Sequence, residues 1–254
     1  MRLDLYLTER KRFRSRHRAQ HAIKKGVVTV NGETVTKPGA KVRESDDVKV
    51  VKEANPYVSF GGIKLKEALD VFSVSLEEEV VLDVGSSTGG FTDCALKKGA
   101  AKVYALDVGT DQLLPLLAAD PRVERHEQTH FLKTELDRFS DATTVFIDVS
   151  FTSSIPFVQR ALALEASIIV LIKPQFETRS VPENGVIRNQ EVLKRTLGDY
   201  LETLHPHAAL TDIVEAARKE KRSNREFFLY IGRERHAEQP ETLLRRALSK
   251  KREA

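Results

Sequence analysis

Val80-Val-Leu-Asp-Val84-Gly85-Ser-Ser-Thr-Gly89-Gly90-Phe-Thr-Asp93 is an apolar run that breaks at glycine and resumes with helical spacing. Residues 80–84 have the length and aliphatic content of a buried strand, and 91–98 read as the helix after it. Glycine lets the backbone turn sharply and approach a ligand closely, while the first turn of the helix offers unpaired amides. A site for a dinucleotide pyrophosphate would want glycine where Ser87 stands. The carboxylate of Asp83 suits a ligand with an ammonium group better. Asp107 ends the next apolar run, Lys102-Val-Tyr-Ala-Leu106, where a carboxylate can accept from both hydroxyls of a ribose. Asp83, the glycine turn and Asp107 together point to a cofactor that contains a nucleoside. The alternative is a tight turn with a capping acid.

Outward from this turn the pattern alternates. Strands are predicted near Val123 and over 143–147, 167–172, 211–216 and 226–231; helices over 63–72, 112–119, 190–204 and from 241 onward. Such alternation predicts an α/β fold, a doubly wound, mainly parallel, Rossmann-like sheet.

Residues 1–54 follow another plan. Leu3 and Leu7 are four apart, as on a helix face, and Ser15 caps a second helix with Ala19, Ala22 and Ile23 turned inward. Asn31-Gly32 joins strands 27–30 and 33–35 as a hairpin, and 47–51 closes a small sheet. This is a small α+β domain, followed by a linker over 55–59 and the larger domain over 60–254. Charge separates the two domains. Residues 1–55 hold fourteen Lys and Arg against seven Asp and Glu, which leaves −3 for the rest of a chain whose total is +4. Arg10, Lys11, Arg12, Arg14, Arg16, Arg18, Lys24 and Lys25 fall within sixteen residues that hold no acid. Such a cluster expects a polyanion. With only Tyr6 and Phe13 nearby, contacts to the backbone and shape of that polyanion are expected rather than stacking on aromatic rings. The basic residues at 245–246 and 250–252 read as a solvated helix face.

Several classes are excluded on composition. A single cysteine, Cys94, permits no disulfide framework, and no His, Cys or acid cluster has metal-ligand spacing. The longest apolar stretch, 167–172, is strand length, so neither a membrane span nor a secretion signal is expected; a cytoplasmic protein is.

The first segment, with RLDLYL, GVVTVNGETVTKPGAKV and DDVKV, resembles an S-four-type RNA-binding domain. The remainder resembles the TlyA-type (haemolysin A) ribosomal RNA 2′-O-methyltransferases, relatives of the FtsJ methyltransferases, through VSFGGIKL, LDVGSSTGGFTD, ALDVGTDQL, FIDVSF and LIKPQFE. The resemblance implies S-adenosyl-L-methionine as cofactor and ribosomal RNA or ribosomal subunits as partner, with no membrane and no metal. It implies a catalytic tetrad of Lys64, Asp148, Lys173 and Glu226. The cofactor residues would be Asp83, Gly85, Ser86, Ser87, Gly89, Gly90, Phe91, Thr92, Asp107, Val108, Glu127 and Asp148.

Chemistry explains these types. A ribose 2′-hydroxyl is a poor nucleophile until its proton leaves, so the protein must supply a base and alignment. Lys173 is the expected base, with Asp148 orienting it. Lys64, positioned by Glu226, would disfavour a second ammonium and hold the hydroxyl. Two positions depart from the family pattern: Phe60 stands for an arginine and His130 for an asparagine. The loop Val181-Pro-Glu-Asn-Gly185-Val-Ile-Arg188 is poorer in glycine than its family counterpart and reads as an element over the substrate site. Competing readings are an RNA-binding protein with a vestigial methyltransferase domain, a membrane-active haemolysin and a nicotinamide dehydrogenase.

Overall fold

The computed structural model describes residues 1–13, 15–24, 26–50, 55–178, 183–218, 223–233 and 237–249. The chain divides into two compact units, Met1–Pro56 and Tyr57–Ala254, at a boundary inside the segment read as a linker.

In the first unit α1 (Leu3–Glu9) and α2 (Arg16–Lys24) precede β1 (Val28–Val30), β2 (Glu33–Thr34) and β3 (Val48–Val50), an antiparallel sheet in the order β2-β1-β3. Asn31 and Gly32 both take positive φ, as the two-residue hairpin requires. Leu3, Leu7, Ala19, Ala22, Ile23 and Val28 form its core. One carboxylate lies within. Asp4 is fully buried and accepts from Arg2, Arg16 and Gln20. The Arg2 guanidinium, helped by Gln20 and Arg16, holds the Asp4 carboxyl well below the usual carboxylate range.

The second unit runs α3 (Phe60–Phe72), β4 (Val80–Val84), α4 (Gly90–Lys97), β5 (Lys102–Leu106), α5 (Pro115–Ala118), β6 (Val123–His126), β7 (Thr144–Ile147), α6 (Ile155–Ala161), β8 (Ser167–Ile172), α7 (Pro174–Glu177), α8 (Gln190–Leu204), β9 (Leu210–Glu215), β10 (Phe227–Ile231) and α9 (Pro240–Ser249). Its seven strands stand in the order β6-β5-β4-β7-β8-β10-β9. All pairs are parallel except those of β10, which runs against both β8 and β9. Alternate strand residues serve opposite faces. Leu82, Val84, Val145, Ile147 and Val170 pack with α6, α8 and α9; Val81, Val103, Phe146 and Ile169 pack with α3 and α4. The sheet is thus covered on both sides, which is why its strands read as continuous apolar runs.

The helix expected over 112–119 is only Pro115–Ala118. The Glu127 carboxylate accepts from the backbone N–H groups of Asp111, Gln112 and Leu113, and Asp111 takes a φ of 50°. Those amides are held as a turn, and Pro115 starts the helix after them. No helix among the described residues is long and apolar enough to cross a membrane.

Candidate active site

Topology brings the four tetrad residues to one edge of the sheet. Asp148 follows β7 and Lys173 follows β8, its parallel neighbour. Glu226 precedes its strand, but β10 is antiparallel and pairs Phe227 with Ile172, so the start of β10 lies beside the end of β8. Lys64 comes from α3, whose first turn is capped by Ser59 Oγ accepting from the Gly61 N–H at 3.2 Å. The side chains form two pairs. Lys64 Nζ donates to Glu226 Oε2 at 2.5 Å, with both side chains about four-fifths buried. Lys173 Nζ lies 2.7 Å from Asp148 Oδ1. That contact is an ion pair without hydrogen-bond alignment, and the aligned bond of Lys173 goes to Ser150 Oγ at 2.6 Å.

A cavity of about 370 Å³ joins this edge to the glycine turn. Its wall includes Ser59, Phe60, Gly61, Lys64, Asp148, Arg218, Asn224 and Glu226, and from the turn Gly85, Ser86, Ser87, Thr88, Gly90 and Phe91. Lys173 is attached to it through Asp148. The turn is drawn tight: the Gly85 and Ser86 N–H groups both reach Leu106 O, and Ser87 N–H donates to Asp107 Oδ2 at 2.8 Å.

Of the other residues read as cofactor contacts, Asp83, Gly89, Thr92, Asp107, Val108 and Glu127 sit around this wall rather than on it. Asp107 Oδ1 also accepts from Gly109 N–H at 2.7 Å, so the carboxylate braces the turn and keeps a second lone pair on each oxygen. Phe91 is core, 3% exposed and packed edge-on to Phe146. Val108 is 66% exposed. Glu127 is the turn brace described above. Thr92 is buried and donates to Asp83 Oδ2 at 2.6 Å.

Asp83 itself is fully buried beneath the turn. Its Oδ1 has no hydrogen-bond partner among the described residues. Burial pushes its carboxyl up to about 7, with the Thr92 bonds opposing and the Asp148 and Asp107 charges adding to the rise. An acid raised in the folded state binds its proton there between about pH 4 and 7 while the unfolded chain has lost it. Stability therefore falls as pH rises through that window and levels off above 7. Asp83→Asn is expected to raise the melting temperature of the ligand-free protein at pH 8 and to change it little at pH 5. An equal gain at both pH values in scanning calorimetry would contradict this.

Two features of the site, Ser150 and Phe151, carry no sequence signal. Ser150 shares Lys173 with Asp148, but a serine after a strand carries no pattern that marks it. Phe151 is 90% exposed at a φ of 64°, leaning on Phe176 with centroids 5.3 Å apart. Phe60, which stands for an arginine, lines the cavity with its ring 6.0 Å from Lys64 Nζ.

In the first unit Arg10, Lys11, Arg12, Arg16, Arg18 and Lys24 are exposed. Arg10 stacks over Tyr6 and reaches Glu44 at 3.7 Å, and Arg16 Nε is spent on Asp4 at 3.0 Å. Arg14, Lys25, Val51, the loop residues 181–182 and the basic residues 250–252 lie outside the described residues.

A family model described as FtsJ-like methyltransferase matches residues 57–233, and one for the S4 domain matches residues 1–48. A relative named "Putative rRNA methyltransferase YqxC", from Bacillus subtilis, is 41% identical over 77% of this chain and 74% of its own length. The "16S/23S rRNA (cytidine-2'-O)-methyltransferase TlyA" of Mycobacterium tuberculosis is 34% identical over 77% and 76%. A solved structure, "Putative hemolysin from Streptococcus thermophilus", superposes with a TM-score of 0.71 at 30% identity, covering 98% of this chain and 96% of that one. The chain, with an S4 domain ahead of its methyltransferase domain, belongs to the FtsJ-like methyltransferase family, in its TlyA-type group.

Proposed function

We propose that this protein transfers a methyl group from S-adenosyl-L-methionine to the 2′-hydroxyl of a cytidine in ribosomal RNA. The observation that carries the reading is the pairing of two lysines with two carboxylates at the sheet edge where the glycine turn opens. The cytidine and the ribosomal RNA come from the relatives whose names specify them. Support for the cofactor comes from the glycine turn on the cavity wall and from Asp83 buried beneath it, whose Oδ1 has no hydrogen-bond partner among the described residues.

S-adenosyl-L-methionine brings a methyl group already activated by its sulfonium. What remains falls to the chain: remove the hydroxyl proton and hold the oxygen in line. Lys173, in its amine form, accepts the 2′-hydroxyl proton at Nζ, and Asp148 stabilises the ammonium that results. Lys64, held by Glu226, donates to the same hydroxyl oxygen and fixes its direction. Phe151 offers an exposed aromatic face next to Ser150 on which a base turned out of its stack can rest.

The S4 domain supplies grip on the RNA backbone. Replacing Lys11 and Arg12 by alanine is expected to lower the slope of log K against log salt by roughly 1.4–1.8, since each phosphate contact contributes about 0.7–0.9. Cofactor affinity should not change. Filter binding over a salt series checks this; an unaltered slope would remove these two residues from the RNA interface.

The reading as a whole is tested by tritium transfer from labelled S-adenosyl-L-methionine to ribosomal RNA. Label retained by the RNA supports it. RNA binding without transfer would favour a vestigial methyltransferase domain.

A further inference from the structure

The segment 148–154 links β7 to α6, and the segment 173–177 follows β8. The first is tied to the second at both ends. At one end Lys173 meets Asp148 and Ser150. At the other, Glu177 Oε2 accepts from Ser153 Oγ at 2.5 Å, and Oε1 accepts from the Ser154 backbone N–H and hydroxyl, each at 2.8 Å. Ser154 is 2% exposed, and its Oγ lies 2.9 Å from the hydroxyl of Tyr200 in α8, which is also 2% exposed. Counting protons fixes the direction of this relay. Ser154 has one hydroxyl hydrogen, which goes to Glu177, so Tyr200 must be the donor to Ser154. Burial pushes the Tyr200 phenol well above its ordinary range, which keeps it a donor. A hydrogen-bonded network of this kind, buried at Ser154 and Tyr200 and half-buried at Ser153 and Glu177, rigidifies what it joins. Between the two ties stands Phe151, with its left-handed backbone.

We infer that Glu177 is a positioning residue for methyl transfer: by clamping Ser153 and Ser154 it holds Asp148 and Phe151 in register with Lys173. This inference rests on the function proposed above. Displacement of reacting groups by about 1 Å costs on the order of 10²-fold in rate. Glu177→Ala is therefore expected to lower kcat by about 10- to 100-fold, with the KM for cofactor and RNA nearly unchanged. Glu177→Gln keeps Oε1 for Ser154 and can donate its amide to Ser153 Oγ, so it should restore most of the rate.

A second measurement does not depend on turnover. Lys173, 12% exposed, should react slowly with an amine-acylating reagent beside Lys66, 47% exposed. Mass spectrometry should show Lys173 labelled several-fold faster in Glu177→Ala and at the wild-type rate in Glu177→Gln. If wild-type protein transferred no methyl group, the proposed function would fall while the labelling contrast still decided the role of Glu177. Wild-type kcat and wild-type labelling in Glu177→Ala would overturn the inference, as would a glutamine variant as impaired as the alanine one. Should Glu177→Ala fail to fold, Tyr200→Phe removes only the terminal donor; faster Lys173 labelling there supports the inference and unchanged labelling overturns it.

Discussion

Lys173→Ala is expected to lower the rate of methyl transfer by roughly 10²–10⁴-fold, the range that a positioned general base contributes. Cofactor binding should stay near the wild-type value, because Lys173 reaches the cavity only through Asp148 and none of the turn amides depends on it. Two effects of the substitution must be separated: loss of the proton acceptor, and loss of the aliphatic stem that packs at a site only 12% exposed. Lys173→Met keeps the stem and removes the amine. The same rate loss in both variants assigns the effect to the amine. Single-turnover transfer to ribosomal RNA at saturating cofactor makes the measurement; a methionine variant with wild-type turnover would remove Lys173 from the chemistry.

Gly85→Ala is the second large effect, and it acts through backbone rather than chemistry. Gly85 has a φ of +88°, and a Cβ there would lie 2.5 Å from the carbonyl oxygen of Asp148. Neither partner is the far end of a flexible side chain. Either β4 and β7 separate where Asp148 enters the cavity, or the turn leaves its conformation. Destabilisation of about 2–3 kcal/mol is expected, together with a loss in cofactor affinity of about tenfold or more. Gly185→Ala provides the contrast, because its φ is +71° and nothing lies within 4 Å of the added carbon. It should show backbone strain alone, about 1 kcal/mol. Denaturant unfolding of the two variants, with calorimetric titration of the cofactor, checks both. Equal costs would mean that the approach to Asp148 does not restrain the turn.

Much of this site is legible in the chain because each key residue punctuates a buried run. Asp148 ends 144–147 and Lys173 ends 167–172, and parallel strands carry such residues to a common edge. Glu226 stands before its strand and reaches the same edge only because β10 runs antiparallel, which no local pattern announces. Resemblance to a family supplied it, as it supplied Lys64, an otherwise ordinary helix position. Polar pairings over long separations were invisible for the same reason. Glu177 with Ser153 and Ser154, Glu127 with 111–113, and Asp4 with Arg16 have no periodicity, and each gives a residue a bond within the fold that sequence does not mark. Glu127 reads as a cofactor contact and is found bracing a turn. Arg16 reads as a phosphate contact and is found satisfying a buried carboxylate. The over-long helix at 112–119 has the same origin, since apolar spacing cannot reveal that a distant acid has captured its first amides.

Mapping of ribose methylation by mass spectrometry, on ribosomal RNA incubated with S-adenosyl-L-methionine and either wild-type protein or Lys173→Met, decides whether the Lys173 amine drives methylation of a ribose. 2′-O-methylcytidine is expected at a defined position with the wild type and none above background with the variant. A methyl group found on a base, or equal ribose methylation by both proteins, would contradict it.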